Sequence, residues 1–326
     1  MTSVESNHPH PPNRRPALSA LDRLNLLYIA LIILLIVVCR RRIDPWPVCL
    51  ATYLGLGIVL LAFLTTTARS FHPVIGFIRD WYTPFLFLLH YEFTYLLNQS
   101  FAPLYAPWLS RLAPTVALTA EHIGGRVYFD RFFALFDQQL FGFQPSLHFA
   151  QVFGAAWFGE IMHLAYFSYY VYVPLLCGIL WFRPKREPFD DSMFRATLTM
   201  WFSILVFIIL PVAGPRQFFG PEGYNLNRGY LFAGIMKFLF DHGEIPNGAF
   251  PSSHVAVALV VLILASRYQK RLFFTLIVPF LALCLSTVYV AEHYVVDVVA
   301  GLLVGALFYM AGAPIRRLLR MGGDTG

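Results

Sequence analysis

The chain has 326 residues, of which 58% are hydrophobic and only 13% charged, with a formal net charge of +6. An ordinary soluble domain carries about a quarter charged residues, so the composition excludes a soluble globular protein and predicts one written for lipid. The four cysteines, Cys39, Cys49, Cys177 and Cys284, stand singly in or beside apolar runs, a spacing that suits neither a disulfide framework nor a zinc site.

Residues 1–22 are polar and Pro-rich without helical periodicity, which predicts a disordered cytoplasmic tail with no evident cleavable signal. Apolar runs then recur at about 24–39, 48–66, 81–98, 156–182, 194–213, 252–267, 271–290 and 293–313. Each is near the roughly 20 residues that cross a bilayer as helix. The expected fold is therefore all-α, a polytopic transmembrane helix bundle of about eight spans. Between the third and fourth spans, residues 99–154 are too polar and Pro-interrupted to cross, yet dense in aromatics (FDRFFALFDQQLFGFQPSLHF). That mixture predicts helices lying in the membrane interface, placed to roof a site.

Positive charge gathers in WFRPKREPFDDSMFR, SRYQKR and PIRRLLRM, which fall on one side of this span count. Basic loops favour the cytoplasm, so the charge reflects membrane orientation and anionic lipid rather than nucleic acid. Arg40 to Arg42 fall on the other side, against that rule.

The non-basic side receives the polar chemistry. PVAGPRQFF brings Arg216, PSSH brings Ser252, Ser253 and His254, and EHYVVD brings Glu292, His293 and Asp297. His293 and Asp297 are four apart and share a helix face, so the carboxylate is placed to hold one ring nitrogen while the other points out. Pro251 suits a first helical turn, whose free N–H groups attract anions. Arg216 offers a forked cation for phosphate oxygens. Taken singly, each has a structural reading: a hydrogen-bonded packing histidine, a structural His–Asp pair, an interfacial anchor. Together they favour a site, because ionisable groups in spans are costly.

At these residues the sequence resembles the type 2 phosphatidic acid phosphatase (PAP2) superfamily, closest to the branch holding inositol-phosphorylceramide and sphingomyelin synthases. Its second motif appears as Pro251-Ser252-Ser253-His254, and its third as STVYVAEHYVVD from Ser286 to Asp297. The first motif is the poorest match: Gly214-Pro215-Arg216 supplies an arginine, but Ile209 stands where its lysine would fall, and Thr287 replaces the third motif's arginine.

The resemblance implies a six-helix core, a catalytic membrane domain over 71–316 preceded by a helix pair over 23–70, and a short tail over 317–326. It implies a membrane phosphohydrolase of lipid phosphates, without metal or other cofactor, in a bacterial inner membrane with its site facing the periplasm. In that scheme His293 attacks phosphorus, Asp297 orients it, His254 is the general acid and base, and Arg216, Ser252 and Ser253 hold phosphate oxygens. Glu160, His163 and Glu292 are candidates for the headgroup, with a Glu160–His163 structural pair as the competing reading; His90 and Glu92 are further ionisables in the third span. Two alternatives stay open: a phosphotransferase that moves a phospho-headgroup between lipids, and a transporter or structural membrane protein whose polar residues form a relay or pack helices. The tyrosine stripe from Phe167 reads as helix packing.

Overall fold

A computed structural model describes residues 18–68, 70, 72–112, 121–123, 126–220, 228–243 and 246–321; the expected tail over 1–22 lies mostly outside the described residues. The chain opens with α1 (Ala20–Cys39), α2 (Trp46–Thr66) and α3 (Pro73–Leu112). A two-stranded antiparallel hairpin follows, β1 (Glu121–Ile123) and β2 (Arg126–Tyr128), with Glu121 opposite Tyr128. The later elements among the described residues are helices: α4 (Asp130–Phe141), α5 (Pro145–Val152), α6 (Ala156–Phe167), α7 (Tyr169–Trp181), α8 (Glu187–Ile209), α9 (Pro215–Phe218), α10 (Leu231–Gly243), α11 (Ser253–Tyr268), α12 (Lys270–Tyr289) and α13 (Val295–Met321).

Every stretch expected to span is helical, but fewer meet the demands of a bilayer. Among the described residues five helices are long and apolar enough to cross, α1, α2, α8, α12 and α13, or six if α6 and α7, bent by 45° at their junction, form one broken span. The expectation of about eight is reduced for two reasons. Helix α11 has only 16 residues, and α3, 40 residues long, is diluted by Arg79, Asp80, His90 and Glu92.

Helix α11 is the centre of the bundle. Val255, Ala256, Val257, Ala258, Val260 and Val261 are all at most 2% exposed, as a helix that is apolar all round must be. Its fit against α13 depends on small residues, because helices in lipid gain attraction mainly by close approach. A Cβ on Gly301 would stand 2.6 Å from the Ser252 carbonyl oxygen, and one on Gly305 2.6 Å from that of Ala256.

Buried polar pairs bind the outer helices. Asn25 Nδ2 donates to the Tyr82 hydroxyl at 2.8 Å and Trp201 Nε1 donates to Asn25 Oδ1 at 2.9 Å, tying α1, α3 and α8. His90 hydrogen-bonds the Tyr53 hydroxyl through Nδ1 at 2.9 Å, joining α3 to α2, while Glu92 is exposed. The basic loops share one end: Arg316 reaches Glu187 at 2.6 Å, Tyr268 donates to Asp191 at 2.9 Å, and Arg23 donates to the Leu319 carbonyl at 2.5 Å. Arg42 lies at the opposite end, where its carbonyl accepts from Ser100 at 3.4 Å.

Helix α4 and the turn after it present an apolar outer face and a partly acidic inner one. Leu135, Phe136, Leu140, Phe141 and Phe143 are exposed, while Asp130, Phe133 and Asp137 are buried.

Candidate active site

Three loops interlock at the end opposite the basic one. The segment after α8 pairs with the segment before α11 through a bridge between Val212 and Gly248, with Ala249 N donating to Val212 O at 3.1 Å. Arg216 N donates to the Ala291 carbonyl at 2.7 Å, and Ser252 N to the Asp297 carbonyl at 3.0 Å. Gly214 is obligatory in this knot: its φ is +96°, and a Cβ there would meet the Glu292 carbonyl oxygen at 2.6 Å.

His293 sits at the junction, 2% exposed. Its Nδ1 faces the Ala249 carbonyl at 2.7 Å, and since a carbonyl only accepts, Nδ1 carries the proton and Nε2 keeps its lone pair. Nε2 points at His254 Nδ1, 3.4 Å away. Burial lowers the pKa of His293 from 6.5 to about 4, because desolvation disfavours the imidazolium; the ring is a free base at neutral pH.

Asp297 does not make the expected hydrogen bond to that ring. Its Oδ2 stands 3.6 Å from His293 Nδ1 and accepts from Tyr294 N at 2.8 Å. The i,i+4 relation assumed both residues on one helix, whereas α13 starts only at Val295, which leaves His293 in the turn before it.

His254 lies in the first turn of α11, its ring packed 4.8 Å from Tyr166 and 4.3 Å from Tyr169 between centroids. Those tyrosines reach it because the chain bends between α6 and α7; the stripe read as packing thus forms a wall of the site. Ser253 lines the same space. Ser252 does not: it is the N-cap of α11, its hydroxyl accepting from Val255 N at 3.4 Å. Pro251 accordingly sits one residue before the cap instead of in the first turn.

Arg216, 5% exposed, forms a buried ion pair through Nε with Glu292 and lies 4.3 Å over the Phe240 ring. Glu292, a headgroup candidate, is therefore a cavity-wall carboxylate already matched by a cation. Glu160 is placed elsewhere. Its oxygens accept from the backbone N–H groups of Tyr230 at 2.6 Å, Phe232 at 2.8 Å and Ala233 at 3.3 Å, so it caps the start of α10. His163 Nδ1 bonds the Gly159 carbonyl of its own helix at 2.7 Å. Neither residue lines the cavity. Ile209 is 55% exposed and Thr287 fully buried with its hydroxyl on the Cys284 carbonyl at 2.9 Å, and neither lines the cavity.

Two residues that sequence reasoning missed hold the knot together. Asp130, fully buried on α4, accepts from Ala213 N and Gly214 N, each at 2.8 Å, and from the Tyr294 hydroxyl at 3.1 Å. Burial raises its pKa from 3.8 to about 7 against those three donors. Asp137 accepts from Val295 N at 2.8 Å and Val296 N at 3.4 Å at the start of α13, where a carboxylate complements the helix dipole. The available signal was their spacing: two aspartates seven apart share one face of an aromatic-rich helix.

The histidines open onto a cavity of about 340 Å³. His254, His293, Glu292 and Ser253 form its polar corner, while Phe87, Val173, Met200, Ile204 and Phe207 are among its apolar walls. A small polar constellation at one end of an apolar pocket is the usual design of a site for an amphiphilic ligand.

The chain is 26% identical over 165 residues to a PA-phosphatase related-family protein of Dictyostelium discoideum, an alignment that covers 44% of this chain. It spans only 30% of the length of that relative. No solved structure matches the chain. Residues 131–311, more than half of the chain and including Arg216, His254, His293 and Asp297, match the PAP2 superfamily, and the protein is a member of that superfamily.

Proposed function

We propose that the protein is a membrane phosphohydrolase of lipid phosphates that works through a phosphohistidine on His293. The observation that carries this reading is the pair of facing ring nitrogens: His293 Nε2, unprotonated because Nδ1 is committed to Ala249, set 3.4 Å from His254 Nδ1 at the polar corner of an apolar cavity. Nε2 attacks phosphorus, an N–P bond forms, and the P–O bond to the lipid alcohol breaks. Burial and the neighbouring His293 hold the His254 pKa below 6.5 in the free protein, so His254 acts in the imidazolium form that the negative charge of a bound phosphate favours. It gives its proton to the departing oxygen, then takes one from the water that cleaves the phosphohistidine. Arg216, the Ser253 hydroxyl and N–H groups at the start of α11 are the donors assigned to the equatorial oxygens, where charge develops. Asp297 acts on His293 through the field of its carboxylate at 3.6 Å and through the Tyr294 backbone.

We assign the catalytic unit to 71–316 and a supporting role to the helix pair over 23–70, with the site on the non-cytoplasmic face of a bacterial inner membrane, since the basic loops cluster at the opposite end. A second reading, transfer of a phospho-headgroup between lipids as in the inositol-phosphorylceramide and sphingomyelin synthase branch, is favoured by one observation. The Arg216–Glu292 pair leaves the polar corner electrically balanced, which suits a singly charged phosphodiester better than a dianionic monoester. The test is to quench turnover of phosphorus-labelled dioleoyl phosphatidate in vesicles and look for acid-labile, base-stable label on the protein. Label present in wild type and absent from His293→Ala supports the route, and label retained in that variant refutes it. Release of label as inorganic phosphate or onto an added lipid alcohol separates the two readings.

A further inference from the structure

The cavity continues past the histidines. It runs between α3, α7 and α8 as far as Pro84 and Leu88 on α3 and Tyr170 and Pro174 on α7. These far residues are not interior: Leu88 is 69% exposed, Tyr170 is 45% exposed and Pro174 is exposed. Side chains that line a cavity and also face outward mark its mouth.

The packing shows why a mouth forms there. Helices α3 and α7 both rest on α8, and they meet each other at the basic end. There Trp181 Nε1 donates to Asp80 at 2.8 Å, and Phe77 stands edge-on to Trp181 at 5.6 Å between ring centroids. Toward the histidine end the two helices part, and the gap is the cavity. It opens sideways, between apolar surfaces of the kind that face lipid, while α10 covers the polar corner with Phe240.

We propose that one hydrocarbon chain of the substrate reaches the site laterally through the gap between α3 and α7, and that α3 is the half of this doorway that sets chain specificity. The inference rests on the lipid-phosphate reading and deepens it. Three observations support it. The apolar channel is continuous with His254 and His293, so an occupant of one is attached to a group at the other. Its volume, about 340 Å³, lies at the lower end of ligand pockets, which suits one chain while the rest of the lipid stays in the bilayer. Helix α3 lines the channel along its length with Pro84, Phe87, Leu88 and Tyr91, from the exposed Leu88 at the mouth toward the histidines. At the inner end of this wall Tyr91 is seated on Gly248 so closely that a Cβ there would meet the ring at 3.2 Å.

The experiment uses the full chain in phosphatidylcholine vesicles with a phosphatidic acid carrying a mid-chain diazirine. Illumination should attach the probe to Phe87, Leu88 or Tyr91 and to Tyr170 or Val173, and excess dioleoyl phosphatidate should abolish those adducts. Adducts absent from both helices, or insensitive to competition, overturn the doorway. As a second measure, Leu88→Trp should lower the ratio of activity on dioleoyl to dihexanoyl phosphatidate by about tenfold, the scale on which a pocket reads hydrocarbon. An unchanged ratio rejects α3 as the selective wall. Failure of phosphohistidine trapping would remove the catalytic reading while leaving the photolabelling result to stand by itself.

Discussion

His293 gives its Nδ1 proton to the carbonyl of Ala249 at 2.7 Å and keeps Asp297 at 3.6 Å. The backbone just before the PSSH segment, and not the carboxylate, therefore fixes the tautomer that frees Nε2. Replacing His293 with Ala removes the nucleophile and should lower kcat/KM on a lipid phosphate by more than about a thousandfold, whereas Asp297→Asn should cost about ten- to a hundredfold, as for a group acting at second hand. Steady-state kinetics on purified protein decide this; equal losses in the two variants would restore Asp297 to the central role.

The acid limb of activity follows from the same burial. With its pKa lowered from 6.5 to about 4, His293 stays unprotonated in the free enzyme until pH falls through about 4, so kcat/KM should show no nucleophile protonation near 6.5. Stability carries two opposed contributions. Between about 4 and 6.5 the unfolded chain binds the His293 proton and the folded one does not, so this group's contribution rises with pH. Asp130, raised from 3.8 to about 7, binds its proton in the folded state, so its contribution falls as pH rises through that range. Of these two slopes only the second remains above 6.5, so Asp130→Asn should make the dependence there shallower; melting temperatures in detergent at pH 6.5 and 7.5 measure the difference.

Asp130 accepts from three donors on two loops that flank His293. Each buried donor left unpaired costs about 1–3 kcal/mol. The order expected for both melting temperature and kcat is wild type above Asp130→Asn, which keeps one acceptor oxygen, above Asp130→Ala. An alanine variant as stable and active as wild type would show that the clamp is idle.

Glu292, which lines the cavity, is paired with Arg216, which does not. Glu292→Gln removes the negative charge on the cavity wall, which repels a dianion more than a monoanion, so the ratio of turnover on a monoester dianion to that on a phosphodiester should rise several-fold. Breaking a buried pair also destabilises, which is why the ratio is the quantity to measure. A ratio that stays constant would detach the ion pair from substrate choice.

Composition and apolar run length determined on their own that the chain is a helical membrane protein, and local motifs placed Arg216, Ser253, His254, Glu292 and His293 at one end of it. Those features are local: a span needs only consecutive apolar residues, and the PSSH and EHYVVD segments carry their chemistry within a few positions. The tertiary structure decided the rest. Asp130 meets its partners across 83, 84 and 164 residues of sequence, Glu160 caps a helix some 70 residues away, and Tyr166 and Tyr169 reach His254 only because the chain bends between α6 and α7. Residue type shows that a buried carboxylate requires donors, but not which N–H groups will supply them. That choice depends on how distant elements pack, as where α11 and α13 approach closely at Gly301 and Gly305.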